Sequence, residues 1–496
     1  MRLSSFAILG AALGCGHDGR TTAASELPSS AASIAAASHE PSAAPVTPAP
    51  SPPIHVLVEE LPAEDAWRVT WTFQAPTPGL IFDRRRPAFR AGSWQPGPGL
   101  KWVKQAEHEL LKTQDGSAAP SFSATFRSDD GDKERAPPLN VRFTDGTRLL
   151  FTAHLGAHAI ECKAERCERR GLGDARHWTF KTSPDRSLRV LDETAQGSLA
   201  WAEPKGDLRG TYVVAGQPKA KLTDSATLLV DAGLPPWLAQ RTEQQLPELL
   251  ELYASKTGLT LDFKPLVLLS RSRADEADSG FRGRTLPGLV QLEALGKAWS
   301  TESADLSRRW LEFLAHESFH FYNSQLARGT GETKDEWISE GSSMYVAGLA
   351  LSHVGVLDAD ALAARYVKAA NDCLLTLKGP LRSEQAEAAF YPCGELVQLA
   401  ADKALAPSGG IFPFYRALFE DARERGSFGT KHFVALLSER AKDPKLLSDL
   451  DALLEVGLGA DPQAIVERLL AKGGVKARRA TIDVKGEPVE GFLRVK

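Results

Sequence analysis

The sequence predicts a multidomain α+β protein, in which an N-terminal antiparallel β domain precedes a helix-rich remainder. Between residues 54 and 225, short runs of alternating apolar and polar residues are separated by turns that contain Asp and Gly, which is the pattern of β-strands. Beyond about residue 400 the apolar residues recur at helical spacing. A length of 496 residues exceeds that of one typical domain, so domains are expected at 54–225, 226–405 and 406–496.

Individual elements follow from these patterns. In the first domain, the runs at 67–73, 139–143 and 149–153 are expected to be strands of an antiparallel sandwich or barrel. At the other end of the chain, the segments 481–484 and 491–495 are expected to form a short β-hairpin after the last helix.

The middle domain combines both patterns. A helix is expected from Pro236 to about Ser255, because apolar residues recur there at helical spacing after a proline pair. Strands at 266–270 and 289–292 follow, and they precede the segment that carries the chemistry.

That segment is His316-Glu317-Ser318-Phe319-His320. Histidines four residues apart lie on one face of an α-helix, so both imidazoles can bind a single Zn²⁺ ion while Glu317 lies beside it. A second helical segment carries Glu340, and a polar, glycine-containing loop at 329–335 allows the chain to turn back toward the same ion. Two histidines and one carboxylate leave a fourth zinc position open for water, which is the catalytic arrangement.

A simpler interpretation is an amphipathic core helix that happens to contain two histidines. Trp310, Leu311, Leu314 and Phe319 do form an apolar stripe at helical spacing. The stripe is expected under either interpretation, so only the placement of Glu340 distinguishes them.

The sequence around these residues resembles the glycyl aminopeptidase family of gluzincin zinc metallopeptidases and, more distantly, the alanyl aminopeptidases. The zinc helix of that family reads HE-x-F-H-x-x-N, and Phe319 and Asn323 occupy the matching places here. The segment 337–341 resembles the family's W-x-S-E-G segment. The resemblance implies a thermolysin-like catalytic domain and one Zn²⁺ per chain, with the ligands His316, His320 and Glu340 and with Glu317 as the general base.

A further match begins at Tyr391, where the segment 391–397 resembles the family's Y-x-K-G-A-L-V stretch. The tyrosine of that stretch hydrogen-bonds the developing oxyanion, so the resemblance implies this role for Tyr391. Cys393 stands where the family has lysine, which alters the surroundings of the tyrosine. The alternative is an ordinary amphipathic tyrosine at the start of a helix at about 391–404.

Aminopeptidases of this group also anchor the substrate's free α-amine with a glutamate on an edge strand, about two dozen residues before the zinc helix. The segment 290–294 stands at that distance, and its Leu292 and Glu293 fit the family pattern, whereas Gln291 and Ala294 do not. Glu293 is therefore the predicted substrate-binding residue. A solvated strand glutamate is the alternative, and the enzyme would then be an endopeptidase.

The N-terminus is expected to direct export. Arg2 precedes an apolar run at 3–13 that is too short to span a bilayer and is typical of a signal peptide. The segment 12–15 resembles a bacterial lipobox, which implies that Cys15 is lipidated; simple secretion is the alternative. Residues 16–53 are rich in Ala, Ser and Pro and are expected to be a flexible tether. The predicted location is the bacterial cell envelope, periplasmic or on the surface, with the protein anchored by its N-terminal lipid.

Export agrees with the remaining cysteines, which fall into two local pairs, Cys162 with Cys167 and Cys373 with Cys393. An even number of cysteines in an oxidising compartment favours disulfides. The alternative is a second metal site at Cys162 and Cys167, assisted by His154 or His158.

Composition is typical of a soluble enzyme, with 43% hydrophobic residues, 25% charged residues and a formal net charge of −4. Because neither charge sign is in excess, nucleic acid is not an expected partner. The expected function is zinc-dependent hydrolysis of peptide bonds in a peptide or protein substrate, by an aminopeptidase. The alternatives are an endopeptidase of the same fold and a catalytically retired binding or scaffold lipoprotein. The presence of Glu317 favours an enzyme, because this residue contributes nothing to metal retention.

Overall fold

A computed structural model describes residues 53–82, 89–106, 108–127, 139–163, 166–170, 176–204, 209–484 and 486–495. The predicted signal peptide, its Cys15 and all of the predicted tether except Pro53 lie outside the described residues.

Strands dominate the first part of the chain. They are joined by two short helices, and the elements in order are β1 Ile54–Leu61, β2 Ala66–Thr77, β3 Gly79–Phe82, α1 Phe89–Ser93, β4 Gln95–Pro96, β5 Leu100–Gln105, β6 His108–Thr113, β7 Ala119–Arg127, β8 Asn140–Arg142, β9 Arg148–Phe151, α2 Thr152–Leu155, β10 Ala157–Lys163, β11 Arg166–Arg169, β12 Arg176–Lys181, β13 Ser187–Val190, β14 Glu193–Gln196, β15 Ser198–Ala202 and β16 Tyr212–Ala215. The strand predicted at 149–153 is shorter than expected, because the chain enters α2 at Thr152.

These strands form three sheets, in the orders β15-β12-β1-β2-β7-β4, β11-β10-β3-β6-β5 and β14-β13-β16-β9-β8. All neighbours are antiparallel except β1 and β12, which run parallel. Along β2, Trp67, Val69 and Trp71 are buried and alternate with more exposed residues, as the period of a strand requires. Their side chains fill the core of this region.

A mixed sheet and a series of helices make up the rest of the chain. Their bounds are β17 Lys219–Leu222, β18 Thr227–Val230, α3 Pro236–Thr257, β19 Leu266–Ser272, β20 Phe281–Leu286, β21 Leu289–Leu295, α4 Ala304–His320, α5 Glu336–His353, α6 Ala359–Thr376, α7 Glu387–Ala404, α8 Ile411–Arg425, α9 Thr430–Ala441, α10 Pro444–Glu455, α11 Pro462–Lys472, β22 Ala477–Val484 and β23 Glu487–Arg494. A sheet-rich first part and a helical second part confirm the predicted fold class. The predicted C-terminal hairpin is formed by β22 and β23.

The mixed sheet has the order β17-β18-β19-β21-β20, with β18, β19 and β21 parallel and β20 antiparallel at the edge. Its two faces bury different residues. Val290 and Leu292 of β21 belong to the large core that also contains the apolar side of α4. Leu289 of the same strand instead packs with Phe151 and Tyr212 of the N-terminal sheets. The sheet therefore lies between the helices and the β region.

Helix α4 begins after Ser303, whose side chain accepts a hydrogen bond from the amide of Leu306 and so caps the helix. Trp310 and Leu314 of its apolar stripe are fully buried. After His320 the helix widens into a π-helical turn at Phe321–Leu326, a distortion that is frequent at functional sites.

Helices α5 and α7 cross at two glycines, one from each of the motifs that carry Glu340 and Tyr391. A Cβ atom on Gly341 would lie 2.4 Å from the carbonyl carbon of Gly394, and a Cβ atom on Gly394 would lie 2.6 Å from the carbonyl oxygen of Trp337. Any larger residue would force the helices apart. The two glycines therefore bring the carboxylate of one motif close to the tyrosine of the other.

Both predicted disulfides are present. Cys162–Cys167 closes the β10–β11 hairpin, and Cys373–Cys393 joins α6 to α7. Sulfur atoms bonded in a disulfide are not thiolate ligands, so the alternative metal site at Cys162 and Cys167 is wrong. Within the described ranges, no helix combines the length and apolar character needed to cross a membrane.

Candidate active site

The three predicted metal ligands meet at one point. His316 and His320 lie at the end of α4, and Glu340 lies in the second turn of α5. The Nε2 atoms of the two histidines are 3.2 Å apart, and Oε2 of Glu340 lies 3.2 Å from Nε2 of His316 and 3.4 Å from Nε2 of His320. All three side chains are buried. The group has the composition and spacing of a site for one metal ion.

The spacing of these atoms fits zinc. Tetrahedral coordination with bonds of about 2.0–2.1 Å places neighbouring ligand atoms about 3.3 Å apart, and the separations here agree with that value. Two imidazole nitrogens and one carboxylate oxygen are also the donor types of catalytic zinc sites.

Without a metal ion, this group favours a protonated His320 beside an ionised Glu340. Burial lowers the pKa of His320, but the charge and hydrogen bond of Glu340 outweigh it and raise the pKa to about 9. Burial acts in the opposite direction on Glu340, where the charge of His320 and the hydrogen bonds of both histidines hold the pKa well below its usual range. A metal ion would have to displace the proton of His320.

Asn323 orients the second histidine. Its Oδ1 lies 3.0 Å from Nδ1 of His320, and with Nδ1 as the donor the Nε2 lone pair is directed at the metal position. Its Nδ2 donates to the carbonyl of Ser339 at 2.8 Å and to the hydroxyls of Ser342 and Ser343, both at 2.9 Å. Asn323 lies in the π-helical turn, so this turn connects the zinc helix to α5.

Glu317 is buried and is held by the neighbouring edge strand. The hydroxyl of Thr285 on β20 lies 2.8 Å from Oε2 of Glu317 and 2.8 Å from its backbone carbonyl. This contact fixes the orientation of the carboxylate that is predicted to act as the general base. Sequence reasoning missed Thr285, because the contact depends on the pairing of β20 at the sheet edge.

Tyr391 lies on the face of α7 that is turned toward the metal ligand His316. Its half-buried ring faces the ring of His316, with a centroid distance of 6.0 Å and an interplanar angle of 29°. The helix begins at Glu387 rather than at about 391, so Tyr391 belongs to its second turn. The ring thus lies beside one metal ligand, His316, and the oxyanion role of Tyr391 stays a prediction.

Glu293 is placed differently from the expectation. The prediction that it lies on the edge strand is wrong, because β20 is the edge strand and β21 lies inside it. Val290 and Leu292 face the helices, and strand alternation therefore directs Glu293 to the opposite face. There it forms a buried ion pair with Arg282, with the Nε–Oε2 distance at 2.5 Å. Its role in substrate binding stays a prediction.

Glu336 is a further carboxylate near the metal group that sequence reasoning missed. It lies one helical turn before Glu340 on α5. Burial, followed by the negative charges of Glu340 and Glu387, raises the pKa of Glu336 to about 8. Its only sequence signal is the spacing of four residues from Glu340, which places both carboxylates on one face of the helix. A strongly shifted group beside a metal site is a candidate functional residue.

The chain was compared with known proteins. Its sequence matches no protein-family model and no curated protein. Its fold is similar to that of an aminopeptidase N family protein from Idiomarina loihiensis, with a TM-score of 0.62 and 13% identity, over 86% of this chain and 79% of that one. It is also similar to LTA4 hydrolase from yeast, with a TM-score of 0.54 and 12% identity, over 84% of this chain and 70% of that one.

Each similarity covers more than four fifths of this chain, so neither is confined to its helical part. At 13% and 12% sequence identity, they are similarities of fold alone. The fold of this chain is that of the aminopeptidase N and LTA4 hydrolase proteins.

Proposed function

We propose that the protein is a zinc-dependent peptidase of the aminopeptidase N type. The observation that carries the proposal is the buried group of His316, His320 and Glu340, whose ligand atoms have the spacing of a zinc site. A similar fold and a separately held Glu317 support it. A structural zinc site has no use for that fourth side chain, because Glu317 is not a ligand.

The residues around the metal position divide the chemistry of peptide hydrolysis among them. A bound zinc ion supplies a Lewis acid that activates water and polarises a carbonyl. Glu317, held in place by Thr285, accepts the proton of the attacking water and returns it to the leaving amine. The hydroxyl of Tyr391 donates to the oxyanion that forms at the carbonyl, a contribution of about 3 kcal/mol in comparable sites.

The cleaved bond is either the N-terminal one or an internal one of the substrate. The aminopeptidase N fold supports removal of N-terminal residues. Endopeptidase action is a second candidate, favoured by one observation: the predicted amine anchor, Glu293, is engaged by Arg282 on the face of the sheet away from the zinc helix. A charge-assisted contact to a substrate ammonium group would have to compete with that ion pair.

The proposal extends to the compartment, which we infer to be the bacterial cell envelope, with a lipid anchor at Cys15. The disulfides Cys162–Cys167 and Cys373–Cys393 support it, because such bonds persist in oxidising compartments. Mass spectrometry of the native protein tests the anchor. A mature N-terminus at an acylated Cys15 is expected, and an unprocessed chain with four free thiols would contradict export.

Incubation of the purified protein with a mixed peptide library tests the function. Cleavage is expected with zinc, should cease with a chelator, and should return when zinc is added back. No cleavage under any of these conditions would contradict the proposal and favour the retired scaffold instead. Cleavage that survives complete zinc removal would show a different active site.

A further inference from the structure

One arginine of α6 contacts all three helices that build the active site. Arg365 donates from Nη2 to the carbonyl of Met344 on α5 at 2.9 Å and from Nε to Oε1 of Glu395 on α7 at 2.7 Å. Its Nη1 pairs with Glu312 on α4. The side chain is only 11% exposed, so these contacts are largely shielded from water.

Each contacted residue lies four positions from a residue of the site. Glu312 precedes His316 on α4, Met344 follows Glu340 on α5, and Glu395 follows Tyr391 on α7. Residues four apart lie one turn away on the same helix face. The contacts of Arg365 are therefore one turn removed from a metal ligand on each of two helices and from the tyrosine on the third.

From this pattern we infer that Arg365 is a positioning residue, which fixes α4, α5 and α7 relative to one another and so sets the geometry of the metal ligands and Tyr391. The inference rests on the proposed function for its catalytic consequence. Its predicted effect on metal binding requires only that His316, His320 and Glu340 bind a metal ion.

The local sequence makes room for the guanidinium. Gly348 lies on the buried side of α5, one turn after Met344, and a Cβ atom there would lie 3.0 Å from Nε and 3.3 Å from Cδ of Arg365. Glycine is unfavourable inside a helix, and its presence here is explained by the close approach of Arg365 together with that of Leu362, whose Cδ1 would lie 3.2 Å from the same Cβ atom. Alanine at this position would press on the arginine without changing any charge.

Arginine is suited to three partners in different directions, because its planar guanidinium carries five donors, whereas lysine has a single ammonium group on a flexible stem. Glu395 is almost fully buried, and burial raises its pKa while the charge of Arg365 acts in the opposite direction. Without the arginine, this carboxylate would be a buried group that lacks its cation.

Helix α6 holds α7 at a second point. The disulfide Cys373–Cys393 attaches α6 to α7 between Tyr391 and Glu395. Cys393 and Glu395 are two positions at which the segment departs from the Y-x-K-G-A-L-V pattern, and both departures connect to α6. Both residues therefore attach the helix of Tyr391 to α6.

Arg308 offers a matched control. It is a second arginine that binds Glu312, at 3.3 Å, but it lies on the same helix as Glu312, it also pairs with Asp305 of that helix, and its side chain is 40% exposed. Replacing Arg308 removes a contact to the same carboxylate without separating the three helices.

The experiment measures zinc affinity, by competition with a chromophoric chelator, in Arg365→Met, Arg365→Lys, Gly348→Ala and Arg308→Met. Loss of residues that support metal ligands weakens metal binding about 10- to 100-fold, and a change of about tenfold is expected for Arg365→Met. Arg365→Lys and Gly348→Ala should weaken binding in the same direction, and Arg308→Met should not. Arg365→Lys decides the question if Arg365→Met does not fold.

Peptide cleavage supplies the second measurement. Arg365→Met should lower kcat about tenfold while KM changes little, and this loss should shrink in a Tyr391→Phe background, because the position of the tyrosine then no longer matters. Zinc affinity equal to wild type in both Arg365 variants, or an equal loss in Arg308→Met, would overturn the inference. Absent cleavage in the wild type would contradict the proposed function alone, since zinc affinity is measured without turnover.

Discussion

The active site has a metal side, formed by His316, His320 and Glu340, and a strand side, formed by β20 and β21. The two sides are built in different ways. On the metal side, His316 and His320 are neighbours on one helix and Glu340 is brought to them by one loop. On the strand side, β20 and β21 place Thr285 against Glu317 but turn Glu293 away toward Arg282. The comparison shows that the chemistry carried by one helix follows from local spacing, whereas the contacts of a sheet depend on which strand becomes the edge.

Removal of a metal ligand is the change with the largest expected effect. His316→Ala or Glu340→Ala should abolish zinc binding and cleavage together, because two protein ligands do not complete a catalytic zinc site. Elemental analysis after dialysis, with the peptide assay, measures both. Equal zinc in wild type and in both ligand variants would contradict the site.

Removal of the Tyr391 hydroxyl comes next. Tyr391→Phe should lower kcat about 10²–10³-fold, the usual cost of losing one oxyanion donor. Zinc content and the melting temperature should stay near those of the wild type, because the ring keeps its contact with His316. Unchanged kcat would assign Tyr391 to helix packing instead.

The metal side should also respond to pH. In the metal-free protein Glu340 raises the pKa of His320 to about 9, so His320 is protonated at neutral pH and must lose a proton before it binds zinc. Zinc affinity should therefore rise about tenfold per pH unit between about pH 7 and 9 and then level off. Competition titrations at several pH values measure this slope. An affinity that is constant over that range would show that the raised pKa is absent.

The strand side should show the smallest effect. Glu293→Gln removes the charge that pairs with Arg282, so it should lower thermal stability while leaving the ratio of cleavage rates for free and N-acetylated peptides unchanged within about threefold. Parallel assays with a free peptide and its acetylated form measure that ratio. A selective loss of cleavage for the free peptide would restore Glu293 as the amine anchor and would identify an aminopeptidase.

Much of the fold follows from the sequence, because hydrophobic periodicity is local. The alternation at Trp67, Val69 and Trp71 predicts a buried strand, and the apolar stripe of α4 predicts a buried helix. The parallel pairing of β1 with β12 is not predictable in this way, because partners 122 positions apart at Ile54 and Arg176 are chosen by the packing of the whole region.

The same distinction between local and long-range features applies to the candidate site. The spacing of His316, Glu317 and His320 suffices to predict a metal-binding helix. The roles of Thr285 and Arg365 could not be predicted, because each acts on a residue of a different element, across 32 and 30 positions to Glu317 and Glu395. Gly341 and Gly394 stand in the motifs, but the close helix crossing that requires them is visible only in three dimensions.

The central claim is that Glu317 and the metal group hydrolyse peptide bonds. Glu317→Gln tests it most directly, because glutamine keeps the shape of the side chain and its contact with Thr285 but cannot accept the proton. With zinc content verified, kcat for peptide cleavage is expected to fall about 10²–10⁴-fold or more. Turnover equal to that of the wild type at full zinc occupancy would contradict the account.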